Sequence, residues 1–169
     1  KIVAKQPSGA SSPNTQLDFY VYNNSGSTNV VTFDQNGRVT MPYQVSFFQT
    51  GMTGSSFNSG TLSGGSNDHN VGSAYNTSTG VFTAPITGYY MFGCAVLVNT
   101  GSGRLEGQIN KNGSTTLLAF NGTGTTYDGP TGMCVAYLAA NDNVRVNRVS
   151  GTAYSTSHGN HYFWGRLVG

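Results

Sequence analysis

Tyr75 to Phe92, YNTSTGVFTAPITGYYMF, sets a turn, a short strand, a Pro-Gly corner and a long aromatic strand in succession. Asn76, Ser78 and Gly80 supply turn chemistry, because Asn and Ser side chains bond their own backbone and glycine accepts positive φ. Val81 to Thr83 is β-branched and aromatic, and Pro85 and Gly88 punctuate before the apolar run Tyr89 to Val98. Along that run Tyr90, Phe92, Cys94, Val96 and Val98 share one face, and Tyr89, Met91, Ala95 and Leu97 the other. Both faces are apolar, whereas an outer strand of a lone sandwich shows one wet face. Oligomerisation is the simplest way to cover the second face.

Working outward, no window carries apolar residues at i, i+3, i+4 and i+7 for three helical turns, so the chain is expected to be all-β. Further strands are predicted at about 44–50, 80–83, 104–110, 115–119, 133–139, 143–149 and 162–168. Eight strands in one domain suggest a jelly roll. The last strand alternates Tyr162, Trp164, Arg166 and Val168 with Phe163, Gly165, Leu167 and Gly169, so one face packs the core and the other, with Trp164, meets a neighbouring chain. Phe82, Tyr90, Phe92, Phe163 and Trp164 are the expected packing residues of core and assembly.

Residues 43–169 thus form the predicted head domain, and residues 1–42 a linker and short β-rich neck. Residues 1–14 are polar and rich in Pro, Ser and Gly, as an extended arm would be. Leu17 to Tyr22 and Val30 to Phe33 read as strands about a loop at Asn23 to Ser27. Asp34-Gln35-Asn36-Gly37 then turns into Arg38-Val39-Thr40-Met41, and Pro42 ends the block. So few short strands bury too little apolar area to stand alone, and other copies of the chain would give them support.

Composition removes several function classes. Only 8% of the 169 residues are charged and the net charge is +2, with the basic residues scattered, so no stripe exists to neutralise nucleic-acid phosphates. No apolar run is long enough to span a membrane. The chain starts at Lys1 without an initiator Met, and a piece of a longer protein is expected. The six acids form no pair suited to acid-base work, and Glu106, the only glutamate, alternates with Gln108 and Asn110 on a polar strand face. No Gly-x-Ser-x-Gly elbow and no phosphate-binding Lys-Ser/Thr pair after a glycine loop is present. No catalytic residue, metal site or cofactor is therefore expected. Cys94 and Cys134 sit in the middle of strands that a sandwich makes neighbours; packed thiols are the plainer reading and a disulfide remains open.

Recognition by loops on a rigid scaffold is what these exclusions leave. Tyr127, Asp128 and Pro130 lie in one long connection, Tyr154, His158 and His161 in another, and Arg104 begins a strand beside Gly101 to Gly103. Tyrosine among serine, glycine and asparagine makes adaptable contact surfaces. Arg104, Tyr127, Asp128, Tyr154, His158 and His161 are the candidate receptor contacts, with glycan stacking or protein binding as the chemistry.

Four blocks then resemble the globular head of the C1q family, among the C1q and tumour-necrosis-factor-like jelly rolls. They are Tyr75, Gly80, Phe82, Pro85, Gly88, Tyr90 and Phe92; Asn112-Gly113; Leu138, Asp142, Val144 and Val146; and Phe163, Gly165 and Leu167. The resemblance implies a ten-strand jelly roll assembled as a homotrimer. Asn76 stands where the family usually has an acid and Asn141 where it usually has a glycine, which speaks against a turn-borne calcium site. The collagen stalk of animal members has no counterpart here, and Asn23 to Pro42 resembles instead the shaft or neck repeats of bacteriophage tail fibres.

Together these resemblances imply a non-enzymatic fibre-tip adhesin on a virion, binding a host-surface glycan or protein and joined to its own upstream shaft. A secreted, extracellular C1q- or tumour-necrosis-factor-like ligand is the alternative, and a structural trimerisation cap the third.

Overall fold

The computed structural model describes residues 2–5, 16–23, 26–34, 36–101, 103–124 and 128–169. The chain divides into two compact units, Lys1–Gln44 and Val45–Gly169.

The first unit is a four-stranded antiparallel sheet of β1 (Ile2–Lys5), β2 (Gln16–Asn23), β3 (Gly26–Phe33) and β4 (Val39–Thr40), paired in chain order. Ile2–Lys5 was expected within an arm and is instead a strand paired with Gln16 to Phe19; the remainder of that arm lies outside the described residues. Period-2 alternation separates two faces. Leu17 faces Phe33 and Phe19 faces Val31, with the rings of Phe19 and Phe33 meeting edge-on at 5.9 Å. On the other face Asp18 accepts hydrogen bonds from Thr32 Oγ1 at 2.6 Å, Gln16 Nε2 at 2.9 Å and Asn29 Nδ2 at 3.2 Å. Those donors, Thr32 first, hold its carboxyl below the usual range. The expected Asn-Gly turn forms through Asp34, whose Oδ1 accepts from the Asn36 and Arg38 amides while Gly37 takes φ +75°.

The second unit is all-β apart from one turn of helix, α1 (Gly54–Asn58). Its ten strands are β5 (Ser46–Thr50), β6 (Ser66–Val71), β7 (Tyr75–Asn76), β8 (Val81–Thr83), β9 (Gly88–Ala95), β10 (Arg104–Lys111), β11 (Thr115–Thr123), β12 (Thr131–Leu138), β13 (Asn143–Ser150) and β14 (Tyr162–Leu167). They form two five-stranded sheets, β12-β9-β14-β5-β6 and β11-β10-β13-β8-β7, the jelly roll that the sequence predicts. Strand β6, SNDHNV, escapes a reading by apolar alternation because it is a polar edge strand whose only sheet neighbour is β5.

The core is a pack of rings between the sheets. Phe47 stacks on Tyr75 at 4.4 Å and meets Phe163 edge-on at 5.1 Å, while Phe82 stands edge-on to Tyr90 and Phe92 at 5.4 and 5.2 Å. Phe82, Tyr90, Phe92 and Phe163 are all fully buried. Each such pair adds about 1 kcal/mol beyond its burial. Gly165 is required by this packing, since a Cβ there would stand 2.6 Å from the Phe92 ring. Cys94 lies opposite Gly132, and Cys134 opposite Phe92, two positions out of register; both thiols are free, and burial pushes both up in pKa.

Turn chemistry agrees with the sequence. Asn112 and Gly113 take φ +52° and +75°, the two positive values a tight hairpin between β10 and β11 demands. Asn141, in the place where the resemblance expects glycine, takes φ +72°, a conformation that Asn tolerates better than other residues.

Candidate functional site

Two surfaces of the second unit are candidates, and strand direction places them. The Leu167 amide donates to Val45 at 2.9 Å and the Tyr89 amide to Gly169 at 2.5 Å, so the unit begins and ends at one pole, here the base. Strand β5 runs away from that pole and β14 back to it, so residues 51–65, 96–101, 103, 128–130 and 151–161 gather at the other, the apex.

At the apex, residues 152–155 are tied to the end of β9 and to α1 by uncharged bonds. The Tyr154 amide donates to Leu97 at 2.9 Å and the Asn99 amide to Thr152 at 3.1 Å, extending β9 into a short ladder with residues 152–154. Helix α1 has little propensity of its own and stands because it is pinned. Asn58 exchanges two hydrogen bonds with Ala153, at 2.8 and 3.0 Å, and the Ser55 amide donates to Ser155 at 2.9 Å. Gly54 must stay glycine, since a Cβ would fall 1.8 Å from the Tyr154 carbonyl oxygen.

On this frame the Tyr154 ring is exposed and meets the His158 ring edge-on at 5.9 Å. Arg104 is exposed too, and pairs with Glu106 at 2.9 Å, which also accepts from Ser150 Oγ at 3.0 Å. Asp128 is bound into its own loop, its carboxylate accepting from the Thr123 amide at 2.7 Å and its carbonyl from Val98 at 2.8 Å. Tyr127 lies outside the described residues.

His161 requires a correction. Expected among the receptor contacts, it is instead fully buried. Its Nδ1 accepts from the Leu97 amide at 3.3 Å and its Nε2 donates to the Tyr154 carbonyl at 3.0 Å, which fixes the neutral tautomer. Burial, above all, pushes its pKa down to about 4. The structure thus brings Tyr154, His158 and His161 together, with only the first two at the surface. The alternation of Phe163, Gly165 and Leu167 carries the signal for this, because His161 has the same inward parity as Phe163.

The second surface is the outward face of β12-β9-β14-β5-β6. Tyr89, Met133, Val135 and Tyr137 are 54%, 63%, 56% and 56% exposed and lie together, Tyr89 opposite Tyr137 with their rings 5.3 Å apart. The Trp164 indole lies flat on Gly93, where a Cβ would meet the ring at 2.5 Å. Beside it Phe48, Met91, His69 and Arg166 line an open hollow of about 450 Å³. Of these apolar residues the sequence reading singled out Tyr89, Met91 and Trp164; Met133, Val135 and Tyr137 show the same period of two and went unnamed.

Among the described residues no three His, Cys, Asp or Glu side chains stand close enough to hold a metal ion, and no helix is long and apolar enough to cross a membrane.

Comparison with known proteins agrees with this architecture. No curated protein matches the chain. Among solved structures it is similar to the globular domain of zebrafish complement 1qA protein (17% identity, 75% of this chain and 98% of that one, TM-score 0.56). It is also similar to murine APRIL at pH 5.0 (12%, 74% and 99%, TM-score 0.59) and to Eiger TNF from S. frugiperda (12%, 75% and 93%, TM-score 0.57). The C1q domain profile matches residues 48–168, and the chain belongs to the C1q domain family.

Proposed function

We propose that this chain is a non-enzymatic recognition module that acts as a homotrimer and meets its receptor with the apical loops. The observation that carries the reading is the uncovered apolar face of Tyr89, Met133, Val135 and Tyr137, more than half exposed on a sheet whose other face is core. Contiguous exposed apolar residues of this kind mark association surfaces. Closing three copies over them would also present three weak apical sites together, so avidity could exceed single-site affinity by about 10²- to 10⁴-fold. Tyr154, His158 and Arg104 are the contacts the apex offers, with Tyr127 and Asp128 as further members of the loop set.

The carrier in this proposal is a bacteriophage fibre, the receptor a host-surface glycan or protein, and the location the virion. The Asp34 to Arg38 turn and the four-stranded sheet that come before the head in the chain support it, through their resemblance to fibre neck repeats. The test is competition of the purified chain with phage adsorption, alongside light scattering. A trimer that blocks adsorption, and loses the block in Tyr154→Ala with Arg104→Ala, is the expected result. A trimer that blocks nothing, or blocks equally after those substitutions, would leave the trimerisation cap in place of the adhesin.

The second reading is a secreted, receptor-binding ligand, favoured by the shared fold with APRIL and Eiger TNF. Coding sequence upstream decides between them: shaft repeats for the fibre, a signal segment and collagen repeats for the ligand.

A further inference from the structure

The apex closes over one imidazole. We propose that His161 is an acid-sensitive latch: its neutral ring ties residues 151–161 to the end of β9, and a second ring proton releases the segment that carries Tyr154 and His158. Only the functional consequence, loss of receptor contact in acid, rests on the recognition reading above.

The geometry leaves the charged ring without a solution. Both nitrogens are already used, Nδ1 accepting from Leu97 and Nε2 donating to Tyr154. A proton on Nδ1 would set one N–H against another and leave the Leu97 amide orphaned in a site with no water access. Nor does a carboxylate stand by to compensate. His158, its ring 6.3 Å away, adds like charge in acid. Tyr154 offers its carbonyl to the ring and a phenol to solvent. The strand end Val96 to Val98, Met52 and α1 carry no titratable side chain. Asp128, whose carbonyl receives the Val98 amide, turns its carboxylate to Thr123.

The sign follows from burial holding His161 at about 4 rather than 6.5. Above 6.5 neither closed nor open form carries the proton and the latch is at full strength. Between 6.5 and 4 only the open form does, so opening rises up to about tenfold per pH unit as pH falls.

Amide hydrogen exchange on the full chain, corrected for intrinsic chemistry, tests this. Between pH 6.5 and 4.5 the opening constant at Leu97 and Tyr154 should rise by about fortyfold and clearly more than at Asn112 of the base, as linkage gives for a ring at about 4 closed and 6.5 open. The rise should persist in His158→Asn and vanish in His161→Gln. A flat profile in the unaltered chain, a rise that survives His161→Gln, or one abolished by His158→Asn would overturn the latch. Should His161→Gln not fold, the ring titration of His161 in the unaltered chain decides: a midpoint near 6.5 overturns the proposal, and one near 4 supports it. Trimer mass and receptor binding do not enter these readouts, so the latch and the recognition reading fail separately.

Discussion

The two poles of the head are built from different bonds. At the base Asp142 is a charged hub, taking Lys111 Nζ at 2.7 Å, Asn112 Nδ2 at 2.7 Å and the Ala139 amide at 2.8 Å. Lys111 above all, with Asn112, holds its carboxyl down at about 2. At the apex the joins that hold residues 152–161 are amide, hydroxyl and imidazole with His161 kept neutral, and charge enters beside them, where Arg104 pairs with Glu106 and Arg148 Nη1 donates to the Gly151 carbonyl at 2.9 Å. A charged hub fixes the pole where the unit begins and ends; neutral donors fix residues 152–161 at the opposite pole. Such neutral joins are little affected by the salt that screens surface charge, so residues 152–161 keep their ties across ionic conditions.

That contrast can be broken from its strongest point downward. His161→Ala should cost most, about 3 kcal/mol, because it leaves a cavity and orphans the Leu97 amide and Tyr154 carbonyl together; chemical denaturation would measure it, and a loss under 1 kcal/mol would deny the imidazole its structural role. Val135→Asp with Tyr137→Asp should convert the proposed trimer to monomer in light scattering while leaving the fold, since both side chains face away from the core. Asp142→Asn should lower the unfolding midpoint by less than His161→Ala, and the loss should shrink at high salt. Its pH signature also differs: the stabilisation from Asp142 is present above 3.8 and disappears as pH falls toward about 2, well below the window that opens the apex. Asn141→Gly should be the smallest change, within about 1 kcal/mol and of stabilising sign if φ +72° strains Asn at all.

How much of this was legible in the sequence depends on where each signal lay. Tyr75 to Phe92 carries its fold in local terms, a turn residue wherever the chain turns and an aromatic wherever a ring is buried, so the strand, the corner and the core parity follow from alternation alone. Asn112-Gly113 is equally local. Strand β6 is different, because nothing in SNDHNV alternates and pairing with β5 alone makes it a strand. Helix α1 likewise owes its turn to Asn58 and Ser55 reaching residues 153–155, about a hundred positions away. The candidate site divides the same way. Exposed Tyr154 and Arg104 follow from loop composition, whereas the burial of His161 needed the parity of β14 to be carried one residue ahead of its first strand position.

Trp164 is the single tryptophan of the chain, and its indole lies against Gly93 on the face left open in one copy. Its light emission therefore comes from one known place, with no second indole to subtract. Covering that face would move the emission to shorter wavelength and shield the ring from a soluble quencher, and dilution would reverse both. The protein carries its own optical gauge of whether the sheet is wet or dry, readable without a label and without altering a residue.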